Sequence, residues 1–407
     1  MALSPRTSTI FEPPAVSLDD APERRSRNDA FSFWKLPEEW RAVLLPSIGP
    51  SEVVADLLLS EDYLPEPNHR TPSAMRAYYH IKGIIPRSLR HCLNSAAISA
   101  RTAPEFPRWP CESALLELRR DWLKSAFDTL GQEDGWHIGF WPHGLRCCIV
   151  LTHDIETRKG FDRMEAMAEV EERWGFRSAW NLPLAQYEID WTRVAKMRAR
   201  GFEFGAHGLS HDGRLFRSDQ DFAELSPRLE RLAAEHDLRG FRAPSTLRDP
   251  RLIPMMSFDF DSSFADTDPY EPQPGGTCSV FPFHLSKMIE LPYTMPQDHT
   301  LLHLIRRNPL PLWVLKAKWI ASQGGMILTL THPDYCGQQP KLGIYEELLR
   351  HLADLESAWR ALPSQVVKWW RERSNSQLRL EQGRPLIKGP AGARAVARHL
   401  NAEMVVA

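Results

Sequence analysis

The chain has 407 residues, enough for one barrel-sized domain with extensions or for two or three small domains. Hydrophobic residues make up 43% and charged residues 25%, the balance of a soluble globular protein. Lys plus Arg (50) nearly cancels Asp plus Glu (52) to a net charge of -2, which excludes a global field that would draw in nucleic acid or an anionic membrane.

Residues 1–30 are rich in Pro, Ser, Arg and Asp and read as a disordered arm. The start has no apolar core of the kind a signal peptide needs, and no stretch approaches the roughly 18 continuous apolar residues of a membrane span. A cytoplasmic location is expected. The six cysteines (Cys92, Cys111, Cys147, Cys148, Cys278 and Cys336) form no C-x-x-C pair, so a thiolate zinc site is not expected and a reducing compartment fits.

Residues 31–145 alternate short helical patterns with prolines and carry many aromatics, Trp34, Trp40, Tyr78, Tyr79 and Trp122 among them. They are too interrupted for an independent core and are expected to pack as an extension onto something else. The clearest helix there is 112–127. The basic residues Arg87, Arg90, Arg119 and Arg120 read as a solvated face.

The pattern changes at Arg146. Residues 147–152 form a continuous apolar run that reads as a buried strand. A helix over 161–174 stops at Gly175, and a strand follows over 176–182. A helix over 191–200 ends at Gly201, and a third strand covers 202–206. Ser226-Pro227 reads as the start of another helix, since Pro is well tolerated at the first helical position. Short strands are expected at 238–242 and 326–331. Strand and helix in alternation imply parallel strands with crossover helices, an α/β fold. Residues 343–373 read as helical with an interruption at Pro363, and 376–407 as a small appendage with a hairpin and a helix at 393–402.

The polar residues fall on this map in a pattern. Asp154 and Glu156 follow the first strand, His207 and His211 the third, Arg242 the next and His332 the last. All sit at C-terminal ends of strands, the side that carries the active site in a barrel of this type. His207 and His211 are four apart, a spacing that places both on one face of a helical turn. Two imidazoles and a carboxylate commonly hold a catalytic divalent ion, and a second carboxylate serves as base. Asp154 and Glu156 share one side of an extended chain. Arg242 is suited to pair with a buried carboxylate, and His332 to act as a general acid. His143, His153, His284, His299 and His303 read as structural, with His153 set apart only because it adjoins Asp154. No Walker loop or G-x-G-x-x-G supports nucleotide binding.

Leu151-Thr152-His153-Asp154-Ile155-Glu156, His207-Gly208-Leu209-Ser210-His211, Arg242-Ala243-Pro244 and Leu330-Thr331-His332-Pro333 together resemble the ordered motifs of the polysaccharide deacetylase family (NodB homology, carbohydrate esterase family 4). The resemblance covers about residues 146–375. It implies a distorted (β/α) barrel with the preceding residues as an extension, a divalent metal, usually zinc, and removal of acetyl groups from a carbohydrate. By resemblance Asp154 is the catalytic base, Glu156, His207 and His211 hold the metal, Arg242 holds the base in place and His332 is the general acid. The chain departs from the usual pair of adjacent aspartates, because Ile155 fills the second place. It follows an Asp-x-Glu variant in which Asp154 and Glu156 could exchange roles. Ser245 stands where an aromatic often follows the proline. The acidic partner of His332 is expected to be Asp261, with Asp298 the second choice. An N-acetylated sugar is the expected substrate. The alternatives are another carbon–nitrogen amide, linear or cyclic, and a glycan-binding protein with a vestigial site.

Overall fold

The computed structural model describes residues 27–63 and 105–401. Most of the expected N-terminal arm, together with Tyr78, Tyr79, Arg87, Arg90 and Cys92, lies outside the described residues. Within them the order begins earlier than the composition implies. Asn28, Asp29 and Ala30 are buried. The Asn28 amide donates to the His284 carbonyl at 2.8 Å and accepts from the His284 N–H at 2.9 Å, so it pairs with that backbone as a strand would.

Helices α1 (Ala30–Trp34), α2 (Arg41–Leu59) and α3 (Ala114–Leu130) and strand β1 (Asp134–Ile138) follow. The α2 region bends by 71° between Gly49 and Ser51, where Pro50 has no backbone N–H to give. No single helix among the described residues is long and apolar enough to cross a membrane. Phe31, Trp34, Trp40, Trp122 and Phe127 join the same hydrophobic core as the later strands. Arg119 corrects the expectation of a solvated basic face. It is buried, with its guanidinium 3.9 Å from the centre of the Phe33 ring, where the charge sits against the aromatic face.

The central layer is β2 (Cys147–Asp154), β3 (Ser178–Leu182), β4 (Glu203–Ala206), β5 (Gly240–Phe241), β6 (Phe260–Asp261), β7 (Phe283–Leu285), β8 (Met288–Glu290), β9 (Met326–Thr331) and β10 (Ala358–Arg360). These nine strands form one sheet. From β9 the order runs β2, β3, β4, β5, β6, β8, β7, with β10 on the first residues of β2 before β3 takes over that edge. Every pairing is parallel except β7–β8. Residues 147–154 of β2 are all buried, as expected of a parallel strand covered on both faces.

The sheet curls into a distorted (β/α) barrel that closes without a regular ladder. The N–H groups of Thr294 and Met295 both reach the Leu328 carbonyl of β9 at 3.1 Å, and the Met326 N–H reaches Val280 at 2.7 Å. The crossover helices are α4 (Arg158–Arg173), α5 (Trp191–Ala199), α6 (Asp219–Glu235) and α7 (Leu310–Ser322), followed by α8 (Pro333–Cys336), α9 (Lys341–Ala353) and α10 (Pro363–Ser374).

Helix α6 starts seven residues before the expected Ser226-Pro227. Ser218 caps it by accepting from the Asp221 N–H, and acids at 219 and 221 occupy the first turn, so Pro227 lies inside the helix. The expected helix over 343–373 is two, separated by β10. After the hairpin β11 (Gln377–Glu381) and β12 (Arg384–Lys388), the expected helix at 393–402 is instead strand β13 (Ala397–Asn401), antiparallel to β1. Pairing with a distant strand overrides the local helix preference of its alanines and arginines.

Candidate functional site

Asp154 is the last residue of β2, and its burial demands hydrogen-bonded partners. Its Oδ1 accepts from the Asn181 amide on β3 at 2.8 Å and lies 3.3 Å from Arg242 Nη1. Gly205 on β4 makes room for this arrangement, since a Cβ there would meet Asn181 Oδ1 at 2.5 Å. Arg242 follows β5 and is fully buried. Its other donors go to Thr152 Oγ1 at 2.7 Å, the Ser262 carbonyl at 2.7 Å and Ser262 Oγ at 2.6 Å. Burial works against ionisation of Asp154, but His207, Arg242 and His332 outweigh it and hold its pKa below the ordinary value.

His207 follows β4. Its Nδ1 donates to the Arg242 carbonyl at 2.9 Å, which leaves Nε2 with a free lone pair 3.9 Å from Asp154 Oδ2. Burial lowers its pKa to about 4, so the ring is neutral near pH 7. Gly208 has φ +72, and a Cβ there would press on Pro244 at 2.8 Å, so a glycine fits the turn between the histidine and arginine motifs. The segment from His207 to His211 is a loop and not the helical turn that its spacing suggests. The two rings still meet, with centroids 5.6 Å apart.

His332 follows β9, and its partner is Asp298. The His332 Nδ1 donates to Asp298 Oδ1 at 2.6 Å, and its backbone N–H donates to Oδ2 at 2.9 Å. This corrects the choice of Asp261. Asp261 lies on β6 opposite Glu290 of β8 and accepts from the Ser263 hydroxyl and N–H. Burial raises the pKa of both acids there. For His332, burial alone would lower the pKa, but Asp298, backed by Glu156 and Asp154, pushes it up to about 10.

The outer part of the site is less enclosed. Glu156 and His211 keep 22% and 16% of their side chains exposed, and His211 Nε2 stands 3.3 Å from Glu156 Oε1. Tyr335 donates to Glu156 Oε2 at 2.9 Å. Asp334 accepts from the Glu156 N–H at 3.1 Å and from the Thr157 hydroxyl, which fixes the loop. Burial opposes ionisation of Glu156, but His211, His332 and His299 hold its pKa well below the glutamate range.

Among the described residues no three ligating side chains close around one point as a formed metal shell does. The donor chemistry fits a divalent ion nonetheless. His207 presents a neutral Nε2 with its tautomer fixed by a backbone carbonyl, the usual arrangement for a metal-binding imidazole. His211 and ionised Glu156 face the same side.

No protein-family model matches the chain, and no curated protein matches it. In fold it is similar to polysaccharide deacetylases. Solved structures of similar fold include a protein from Mycobacterium smegmatis assigned as a polysaccharide deacetylase (18% identity, 57% of this chain and 92% of that chain, TM-score 0.45). Another is the Puue allantoinase (13% identity, 57% and 92%, TM-score 0.45). A third is the probable polysaccharide deacetylase from Pseudomonas aeruginosa PAO1 (15% identity, 57% and 93%, TM-score 0.44).

The fold thus brings Asp154, Glu156, His207, His211, Arg242 and His332 into one cluster and leaves Asp261 outside it. Asn181 and Tyr335 belong to its surroundings and went unnoticed in the sequence, and His299, read there as structural, acts on Glu156. Tyr335 lies three residues after His332 and was open to notice. Asn181 and His299 give no such signal, because only the fold brings them near. His153 is a structural residue: it is buried between Glu171 (2.6 Å) and Thr331 (2.9 Å).

Proposed function

We propose that the chain is a metal-dependent hydrolase that removes an acetyl group from an N-acetylated sugar. The observation that carries this reading is a histidine kept protonated by Asp298 and an ionised, oriented Asp154 at the ends of the neighbouring strands β9 and β2, beside neutral His207. Such a pair of groups with pKa values pushed apart suits acid and base roles at one pH.

Glu156, His207 and His211 would hold the ion, and their mixed nitrogen and oxygen donors suit zinc. When bound, such an ion supplies Lewis acidity toward an amide carbonyl and makes nearby water more acidic. The protein groups do the rest. Asp154 has Oδ1 occupied by Asn181 and Arg242, which leaves Oδ2 to accept the proton of the attacking water. Arg242 and Asn181 hold that carboxylate in one orientation. The water oxygen bonds to the acetyl carbon, the carbon–nitrogen bond breaks, and His332 gives a proton from Nε2 to the leaving amine. Acetate and a free amino sugar result. Asp298 keeps the Nδ1 proton in place throughout, so Nε2 faces the leaving group. Exchange of roles between Asp154 and Glu156 is the variant of this scheme to test.

The catalytic unit in this reading is residues 146–375, with the described part of the preceding extension, Phe31, Trp34, Trp122 and Phe127 among it, sharing its core. The test is an assay of zinc-loaded protein for acetate release from N-acetylated sugars, run beside an assay for ring opening of cyclic ureides. Metal-dependent acetate release is the expected result. Ureide opening without acetate release, or no hydrolysis of either class, would overturn it.

A further inference from the structure

A second feature adjoins this cluster on the side of Tyr335. Between the turn at residues 302–308 and the first turn of α9 lies a cavity of about 500 Å³, lined among others by His303, Arg306, Arg307, Asn308, Lys341 and Ile344. Arg306, Arg307 and Lys341 carry positive charge, and no acid lines the cavity. Lys341 Nζ stands 3.5 Å from His303 Nε2. Arg306 and Arg307 are exposed and form no ion pair among the described residues. Arg306 has φ 57, a left-handed conformation that is costly for a residue with a long side chain and that often marks a functional site.

One side chain separates this cavity from the candidate catalytic cluster. The Tyr335 ring lies 4.7 Å from His303 and 5.2 Å from His332, centroid to centroid, and its hydroxyl is bonded to Glu156. Unpaired cations with a side-chain amide, at the start of a 13-residue helix, suit a multiply charged oxyanion. A neutral glycan would gain nothing from them.

We propose that this cavity binds a phosphate group carried by the substrate, so that the acetylated compound is a phosphorylated sugar. This rests on the hydrolase reading of the neighbouring site. The cavity anchors the phosphate while the acetamido group reaches past Tyr335 to Asp154 and His332.

The test compares N-acetylglucosamine with its 6-phosphate, whose phosphate lies across the ring from the acetamido group, as substrates of zinc-loaded protein, in wild type and in the double variant Arg306→Glu, Arg307→Glu. Both positions are exposed, so the fold should tolerate the change. Binding of inorganic phosphate is followed by calorimetry alongside. The expected result is a KM for the 6-phosphate raised at least about tenfold in the variant, with kcat and the KM for the neutral sugar unchanged. Inorganic phosphate should compete with the 6-phosphate in wild type and no longer bind the variant. Equal KM values for the two sugars in wild type would overturn the proposal. So would phosphate that slows the neutral sugar as much as the charged one, because it would then be an effector and not a mimic of the substrate. Acetate from neither sugar, with phosphate binding still lost in the variant, would overturn the hydrolase reading on which the substrate assignment stands. Phosphate binding unchanged in the variant would overturn the cavity assignment alone.

Discussion

The inner and outer halves of the candidate site are built differently. Asp154, Arg242 and His332 are buried at the ends of strands and Asp298 in the helical turn before Thr300, and each is held by two or more hydrogen bonds. Glu156 and His211 sit on loops, partly exposed, with a single close contact between them. Groups that must keep one charge and one orientation are over-determined by the sheet, whereas groups suited to gather around an ion keep some freedom. Changes to the inner half should therefore alter catalysis or stability without altering metal content, and changes to the outer half should do the reverse.

The largest effect is expected from Asp154→Asn, which keeps the shape and the Asn181 and Arg242 neighbours but removes the base. Turnover should fall by about 10³ or more with metal content unchanged. Turnover retained within tenfold would transfer the role of base to Glu156. Arg242→Met comes next. It leaves the buried Asp154 charge without its cation, and urea denaturation should register a loss of about 3–5 kcal/mol. A change below about 1 kcal/mol would mean that Asn181 and the protonated His332 suffice to compensate the carboxylate. Asp298→Asn removes the charge that keeps His332 protonated. The kcat should drop by about 10² at neutral pH while KM changes little. An unchanged kcat would remove His332 as the acid. The smallest effect is expected from Tyr335→Phe, which deletes one bond to Glu156. Zinc affinity should weaken by about tenfold and thermal stability should hardly move. A large stability loss with normal zinc affinity would assign Tyr335 to packing and contradict the division between the halves.

The parts that sequence made legible share a physical cause. Strand β2 is an apolar run with a polar end, Gly175 and Gly201 stop two helices, and β9 repeats the pattern of β2. Each signal is local and longer than four residues. From 244 to 325 the reading failed because β6 to β8 are only two or three residues long, too short for any period to show. That segment also buries much polar chain. Asp266 sits against Lys316 at 2.8 Å inside the fold, yet the sequence around it reads as loop. The choice of Asp261 over Asp298 has the same origin. Asp-Phe-Asp-Ser-Ser follows an apolar stretch and looks like a strand end, whereas Asp298 lies in a segment with no pattern and reaches His332 only through the closure of the barrel at Thr294 and Leu328. Strand β13 was hidden because its partner lies more than 250 residues upstream.

Metal content tests the central claim most directly. Elemental analysis on purified wild type and on His207→Ala and His211→Ala should find about one divalent ion per wild-type chain and little in either variant. Wild-type protein that arrives without metal and takes up no added zinc would contradict the account.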